Sequence, residues 1–297
     1  MIAQQYVRQY ANLARVGEDV AQLEVVLTYV LQAVSVRGHG NRLAFKGGTA
    51  LRKVVFGSTG RFSRDLDFVA LDGDLPRAEE ALFDDLDNQS YGGIRFRASD
   101  VRYSTEGNFG CVVAFRHSYG AGEFELQVSH RGDMIVPPQP RSLMPQPYFS
   151  RLEFEPQAVV SLHPCEMLAE KVMACNRRRG GSGKDVYDLY LFAQQGFPND
   201  LAVSLVCLKA WTDGKRFDPQ EFVEGIQVSA FSWVELDGLL ANNVPRDWEQ
   251  VCQRVRQRYG VLKKPSDLDR QVLDDVQKHH STNAYEQLAD LVRRNVE

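Results

Sequence analysis

The chain has no Cys-x-x-Cys pair, no apolar run approaching eighteen residues, no low-complexity tract and no excess of positive charge. Each absence removes a class of protein. The five cysteines (Cys111, Cys165, Cys175, Cys207, Cys252) are scattered and odd in number, which fits reduced thiols better than a disulfide framework or a zinc site. The opening MIAQQYVRQYANLARVGEDV carries no apolar signal core, so a soluble, cytoplasmic chain without a membrane partner is expected. A net charge of −4 and a pI near 5.9 argue against a bulk polyanion binder and leave room only for local basic surface. None of the six histidines has metal-ligand spacing, and no cysteine or serine sits in a nucleophile context.

What is present suits a globular fold: 297 residues, 43% hydrophobic and 25% charged, enough for one large or two medium domains. From Glu18, the residues Val20, Leu23, Val26, Leu27, Val30, Leu31 and Val34 recur at helical spacing. A short strand over Leu43–Phe45 enters a Gly-Gly turn, a helix is predicted over Thr49–Val55, and a second strand over Asp65–Leu71. Pro76–Asp87 reads as a helix, and three β-rich runs follow at Ile94–Tyr103, Gly110–Tyr119 and Glu123–His130. Five prolines between Met134 and Ser150 suggest a linker over 136–158, dividing an N-terminal region (1–135) from a helical lobe (159–297). In that lobe Trp248, Val251, Cys252, Val255 and Tyr259 share one helix face. The expected class is α+β: a mixed sheet with helices, followed by helices that contribute to the site.

The chemistry concentrates in FKGGTALRKVVFGSTGRFSRDLDFVA, residues 45–70. Asp65 and Asp67 lie two apart on a predicted strand and so face the same way, a placement that suits a hard divalent cation shared with substrate phosphates. In Lys46-Gly47-Gly48-Thr49 the glycines let backbone approach a ligand, and a helix starting there offers N–H groups to a phosphate. The GxxxxGK[ST] order is absent, so this is no Walker A loop. Arg42, Lys46, Arg52, Lys53, Arg61 and Arg64 give 42–64 six cations and no acid. A triphosphate beside a metal explains the order of these features; an ordinary turn, helix and strand that happen to be charged is the alternative.

A second block reads EKVMACNRRR, then GKDVYDL. Lys171, Ala174 and Arg178 fall on one helix face, and Asp185 and Asp188 on another, with Lys184 four residues before Asp188. Together KGGTAL, RFSRDLDF and this block resemble the signature of the AbiEii and MenT toxins, members of the polymerase-β-like (minimal nucleotidyltransferase) superfamily, over residues 40–190. The resemblance implies a polymerase-β-like core and nucleotidyl transfer from an NTP with Mg²⁺ or Mn²⁺. It implies Asp65 and Asp67 as metal ligands and Lys171 and Asp185 as further catalytic residues. Lys46, Gly47, Gly48, Thr49, Ser63 and Arg178 would bind the nucleotide. It further implies a toxin of a toxin–antitoxin or abortive-infection system, with an antitoxin encoded nearby and an RNA acceptor, the tRNA 3′ end in MenT-type members. A monomer is expected. One departure stands out. Superfamily sites place a third acid on a later strand, and in Phe124-Glu125-Leu126-Gln127-Val128-Ser129 the place falls to Gln127, with Glu125 on the same strand face as its substitute. Transfer to a protein or small-molecule hydroxyl, or a non-catalytic nucleotide-binding regulator, are the rival readings; Gln127 is the only support for the last.

Overall fold

Glu18–Val36 is a single helix whose central apolar residues meet no solvent: Val25, Val26, Leu27, Tyr29, Val30 and Leu31 are each 0% exposed. Burying each such side chain contributes about 1.5–3 kcal/mol, so this helix is a main source of core stability. It is long and apolar enough to cross a membrane, yet 78% of its apolar window is buried within the fold. The computed structural model describes residues 1–37, 42–71, 82–105, 107–129, 134–177, 181–276, 280 and 282–296.

The chain forms two units, the first made of Met1–Arg131, Pro138–Leu162 and Leu239–Val244. Within it lie β1 (Leu43–Lys46), β2 (Asp65–Ala70), β3 (Ser90–Tyr91), β4 (Ile94–Thr105), β5 (Asn108–His117), β6 (Gly120–Ser129), β7 (Gln139–Arg141) and β8 (Val159–Ser161). They make one mixed sheet in the order β3-β4-β5-β6-β2-β1-β8-β7. The β1/β2 pair is antiparallel, whereas β2/β6 and β1/β8 are parallel. One face of the central strands is core, with Leu66, Phe68, Leu126, Val128 and Val113 buried. The alternate residues form the opposite face, and Asp65, Asp67, Glu125 and Gln127 are among them.

The second unit comprises Gly132–Pro137, His163–Gly238 and Pro245–Glu297. Its helices include Pro164–Arg177, Lys184–Gln195, Asn199–Thr212, Trp248–Tyr259, Asp267–Asp274 and Thr282–Val296. The expected face of Trp248–Tyr259 is buried at Val251, Cys252, Val255 and Tyr259. The helical lobe and mixed sheet give the α+β class expected.

The boundaries differ from the linker expectation. Residues 138–162 belong to the first unit and extend its sheet by β7 and β8. Pro140 sits in β7 at the sheet's edge, where a missing N–H donor is tolerated. Tyr148 in this stretch is 2% exposed. Of the predicted helix Pro76–Asp87, residues 76–81 lie outside those described; 82–86 are helical.

Candidate active site

The Lys46–Thr49 turn and the Arg61–Asp67 segment interlock residue by residue. Lys46 lies in register opposite Asp67 on the neighbouring strand. Gly47 has φ +79°, the left-handed region that glycine occupies without cost. A Cβ at Gly47 would fall 2.0 Å from Asp67 Oδ2, so its backbone is pressed against that carboxylate. A Cβ at Gly48 would meet Arg61 Nη2 at 2.5 Å and Ser63 Oγ at 3.1 Å. Thr49 Oγ1 donates a hydrogen bond to the carbonyl of Asp65. Helix begins at Gly47 and runs through Ala50 into π-helical turns over Leu51–Phe56, two residues earlier than the Thr49 start that periodicity gives.

Asp65 and Asp67 stand side by side on β2, half-buried. Register pairing places Glu125 beside Asp65 and Gln127 beside Asp67. Gln127 Nε2 donates to Glu125 Oε2 at 3.2 Å, so the amide holds the neighbouring carboxylate in place. On the far side of Gln127 the register partner is Gly110, which presents no side chain. Among the described residues no three His, Cys, Asp or Glu side chains converge as a metal-binding group. A pair of carboxylates fits a Mg²⁺-type ion that takes its other ligands from phosphates and water, and the side-chain-free cradle at Gly47 leaves Asp67 room to serve it.

The cationic segment divides into two kinds of residue. Arg64 is exposed, its side chain 61% accessible. Arg52 and Lys53 are 2% and 1% exposed and point into the core, away from any triphosphate role. Glu24 Oε1 lies 3.1 Å from Arg52 Nε and 3.0 Å from Lys53 Nζ. Lys53 also donates to the Glu24 carbonyl at 2.8 Å, Thr28 Oγ1 at 2.7 Å and Tyr148 Oη at 3.0 Å. Burial pushes the Lys53 ammonium down to about 8, against the pull of Glu24. Burial works to raise the Glu24 carboxyl, but the two cations outweigh it and hold it below its ordinary range. A lone acid inside an apolar helix, AQLEVVLTYVL, was the sequence signal for this cluster.

In the second unit Lys171 Nζ lies 2.8 Å from Asp185 Oδ1 and 2.9 Å from Asp188 Oδ2. The side chains of Asp185 and Asp188 are 8% and 1% accessible, and Lys171 14%, so the triad is nearly closed to solvent. Asp188, outside the expected functional residues, joins Lys171, while Lys184, four residues before it, pairs with Glu235 at 3.1 Å. Arg178 lies outside the described residues.

A family model described as "Nucleotidyl transferase AbiEii toxin, Type IV TA system" matches residues 29–273. Among solved structures the fold is similar to MenT4, the nucleotidyltransferase toxin Rv2826c from Mycobacterium tuberculosis H37Rv. That match has a TM-score of 0.82 at 24% identity and covers 99% of this chain and 100% of that one. JHP933 from Helicobacter pylori matches at 18% identity and TM-score 0.48, over 91% of this chain and 99% of its own. No curated protein sequence matches the chain.

Proposed function

Because the chain belongs to the AbiEii family of nucleotidyltransferase toxins of type IV toxin–antitoxin systems, we propose that it transfers a nucleotide from an NTP to an RNA acceptor, the tRNA 3′ end, at the interlocked Lys46–Thr49 and Arg61–Asp67 segments. That interlock is the observation carrying the reading: four consecutive turn residues each meet a partner in the segment bearing the two carboxylates.

The triphosphate lies against the backbone of Gly47 and Gly48, whose missing side chains leave that space to the Asp67 carboxylate and to Arg61 and Ser63, with Lys46 beside it. Thr49 spends its hydroxyl on the Asp65 carbonyl and so sets the start of β2. Asp65 and Asp67 would hold Mg²⁺ or Mn²⁺, which would supply charge neutralisation and polarisation at the phosphates. The acceptor hydroxyl oxygen forms a bond to the α-phosphorus. The bridging P–O bond breaks, and pyrophosphate leaves with its electron pair. Glu125, steadied by Gln127, takes the hydroxyl proton. Glu125 thus stands in for the acid that Gln127 cannot supply. On its motif Lys171 counts among the catalytic residues, with Asp185 and Asp188 fixing its ammonium within the second unit. Exposed basic side chains of the second unit such as Arg254, Lys263 and Lys264 would add salt-sensitive phosphate contacts. The chain works as a cytoplasmic monomer, restrained by an antitoxin encoded nearby.

The test is incubation with total RNA, Mg²⁺ and each α-labelled NTP in turn, beside Asp65→Ala. Label in tRNA-sized RNA that disappears in the variant supports the proposal. Label on protein or on a small molecule moves the acceptor to that class, and no Asp65-dependent label removes the activity.

A further inference from the structure

Arg52 is buried at a point where an apolar side chain would be the ordinary choice, and its guanidinium gathers several partners in one place. Nη1 donates to the Gly60 carbonyl and, at 3.5 Å, to that of Gly57. Nη2 donates to Tyr10 Oη at 3.0 Å, and Nε faces Glu24 Oε1 at 3.1 Å. The guanidinium carbon sits 3.6 Å over the ring of Phe62. Gly60 rests on the Arg52 backbone so closely that a Cβ there would meet its Cα at 3.1 Å.

These contacts share a target. Gly57, Gly60 and Phe62 belong to the segment running from the helix that starts at the Gly-Gly turn to the strand that carries Asp65 and Asp67. The next residues, Arg61 and Ser63, are those that flank Gly48. The segment is therefore tied to the helix at two places, by Arg52 near its start and by Thr49 at the Asp65 carbonyl. A planar fork with five donors can hold two carbonyls, a phenol, a carboxylate and an aromatic face together; an ammonium cannot. Two buried cations facing one buried carboxylate are a costly way to stabilise a core, so the geometry they impose is the better explanation for their presence.

We propose that Arg52, with Glu24 as its counterion, is a positioning residue for nucleotidyl transfer, clamping the 57–64 segment so that Asp65 and Asp67 stay aligned with the Gly-Gly turn. This rests on the reading that places the reaction at those residues. Arg52 touches neither substrate nor metal, so its loss acts on the reacting geometry and leaves nucleotide affinity largely intact.

The experiment compares the full-length wild type with Arg52→Lys and, as a milder lesion to the same clamp, Phe62→Leu. Folded fraction comes from thermal melts, and kcat and KM for the NTP from label transfer below the melting range. The expected result is a kcat reduced about 30-fold or more in Arg52→Lys and several-fold in Phe62→Leu. KM should stay within about threefold and the Mg²⁺ activation curve should move to higher concentration. A purely structural role instead gives activity proportional to the folded fraction, with wild-type kcat and an unmoved Mg²⁺ curve once folded protein is counted; that result overturns the proposal. Should Arg52→Lys not fold, Phe62→Leu decides alone on the same criteria. An inactive, folded Asp65→Ala beside an unimpaired Arg52→Lys refutes only the clamp, whereas an active Asp65→Ala refutes the site itself.

Discussion

Replacing Gly47 by alanine separates a strained turn from a working one. At φ +79° any L-residue adopts a left-handed backbone, which costs about 1–2 kcal/mol. The new Cβ would also lie 2.0 Å from Asp67 Oδ2, 2.8 Å from its Cγ and 2.9 Å from its Cβ. To reach ordinary contact at 3.4 Å the carboxylate oxygen must retreat by about 1.4 Å. A shift of about 1 Å at a reacting centre costs about 100-fold in rate, and forcing Asp67 off its rotamer adds about 0.5–1.5 kcal/mol. Gly47→Ala is therefore expected to lose about 2–3 kcal/mol in urea denaturation and at least about 100-fold in kcat per folded molecule. Gly196 is the control: its φ is +82° but nothing lies within 4 Å of a Cβ there. Gly196→Ala should lose only its own backbone term, about 1–3 kcal/mol because φ +82° with ψ 159° is a region essentially confined to glycine, and keep its activity. In an Asp67→Ala background the two closest approaches vanish, so the extra destabilisation of Gly47→Ala should shrink measurably. If Gly47→Ala stays within threefold of wild-type kcat and matches Gly196→Ala in stability, the contact between turn and carboxylate has no role in the reaction.

Glu125→Gln should lower kcat by about 100-fold, the usual scale for a general base, while Gln127→Leu, which removes only a supporting hydrogen bond, should lose less than about 10-fold; a Glu125→Gln enzyme at wild-type rate refutes the assignment. Lys171→Met leaves two buried carboxylates without their cation, and should cost about 3–5 kcal/mol of stability. Adding Asp188→Asn should restore more than about 1 kcal/mol of it without restoring growth inhibition on expression, and a double variant that is fully toxic would make Lys171 purely structural. Lys53 has a folded-state value of about 8, below its ordinary 10.5. Between those values the unfolded chain holds the proton that the folded chain has released, so this group's contribution to stability rises with pH. The stability of wild type relative to Lys53→Met should increase from pH 8 to about 9.5, with a slope up to about 1.4 kcal/mol per pH unit; a flat or falling difference contradicts the burial argument.

Much of the sheet was legible because its strands alternate in a two-residue period and are separated by glycine turns. The pairing of Asp65 with Asp67 followed from that period alone. That the two motifs form one site depended on the order KGGT before DLD, and the fold supplies the reason in the antiparallel β1/β2 pair. Arg52 and Lys53 were misread as part of a solvated or phosphate-facing cationic segment. Their counterion Glu24 lies in the preceding helix, and local charge counts do not register a partner that distant. The proline-rich stretch misled in the opposite way, since edge strands tolerate proline and a single buried aromatic, Tyr148, docks it. Helix spacing sets Lys184 four residues before Asp188, but spacing along one helix does not show what the neighbouring helix presents. That helix presents Lys171, which takes Asp188 and leaves Lys184 to Glu235.

Pyrophosphate release reports directly on the proposed Mg²⁺-supported nucleotidyl transfer by Asp65 and Asp67. The assay uses RNA acceptor, NTP and Mg²⁺ with wild type, Asp65→Asn and Asp67→Asn, substitutions that keep side-chain shape and remove charge. Wild type should release one pyrophosphate for each nucleotide transferred and stop when the metal is chelated, while both folded variants should fall by at least about 100-fold. Equal pyrophosphate release from either folded asparagine variant would contradict the account.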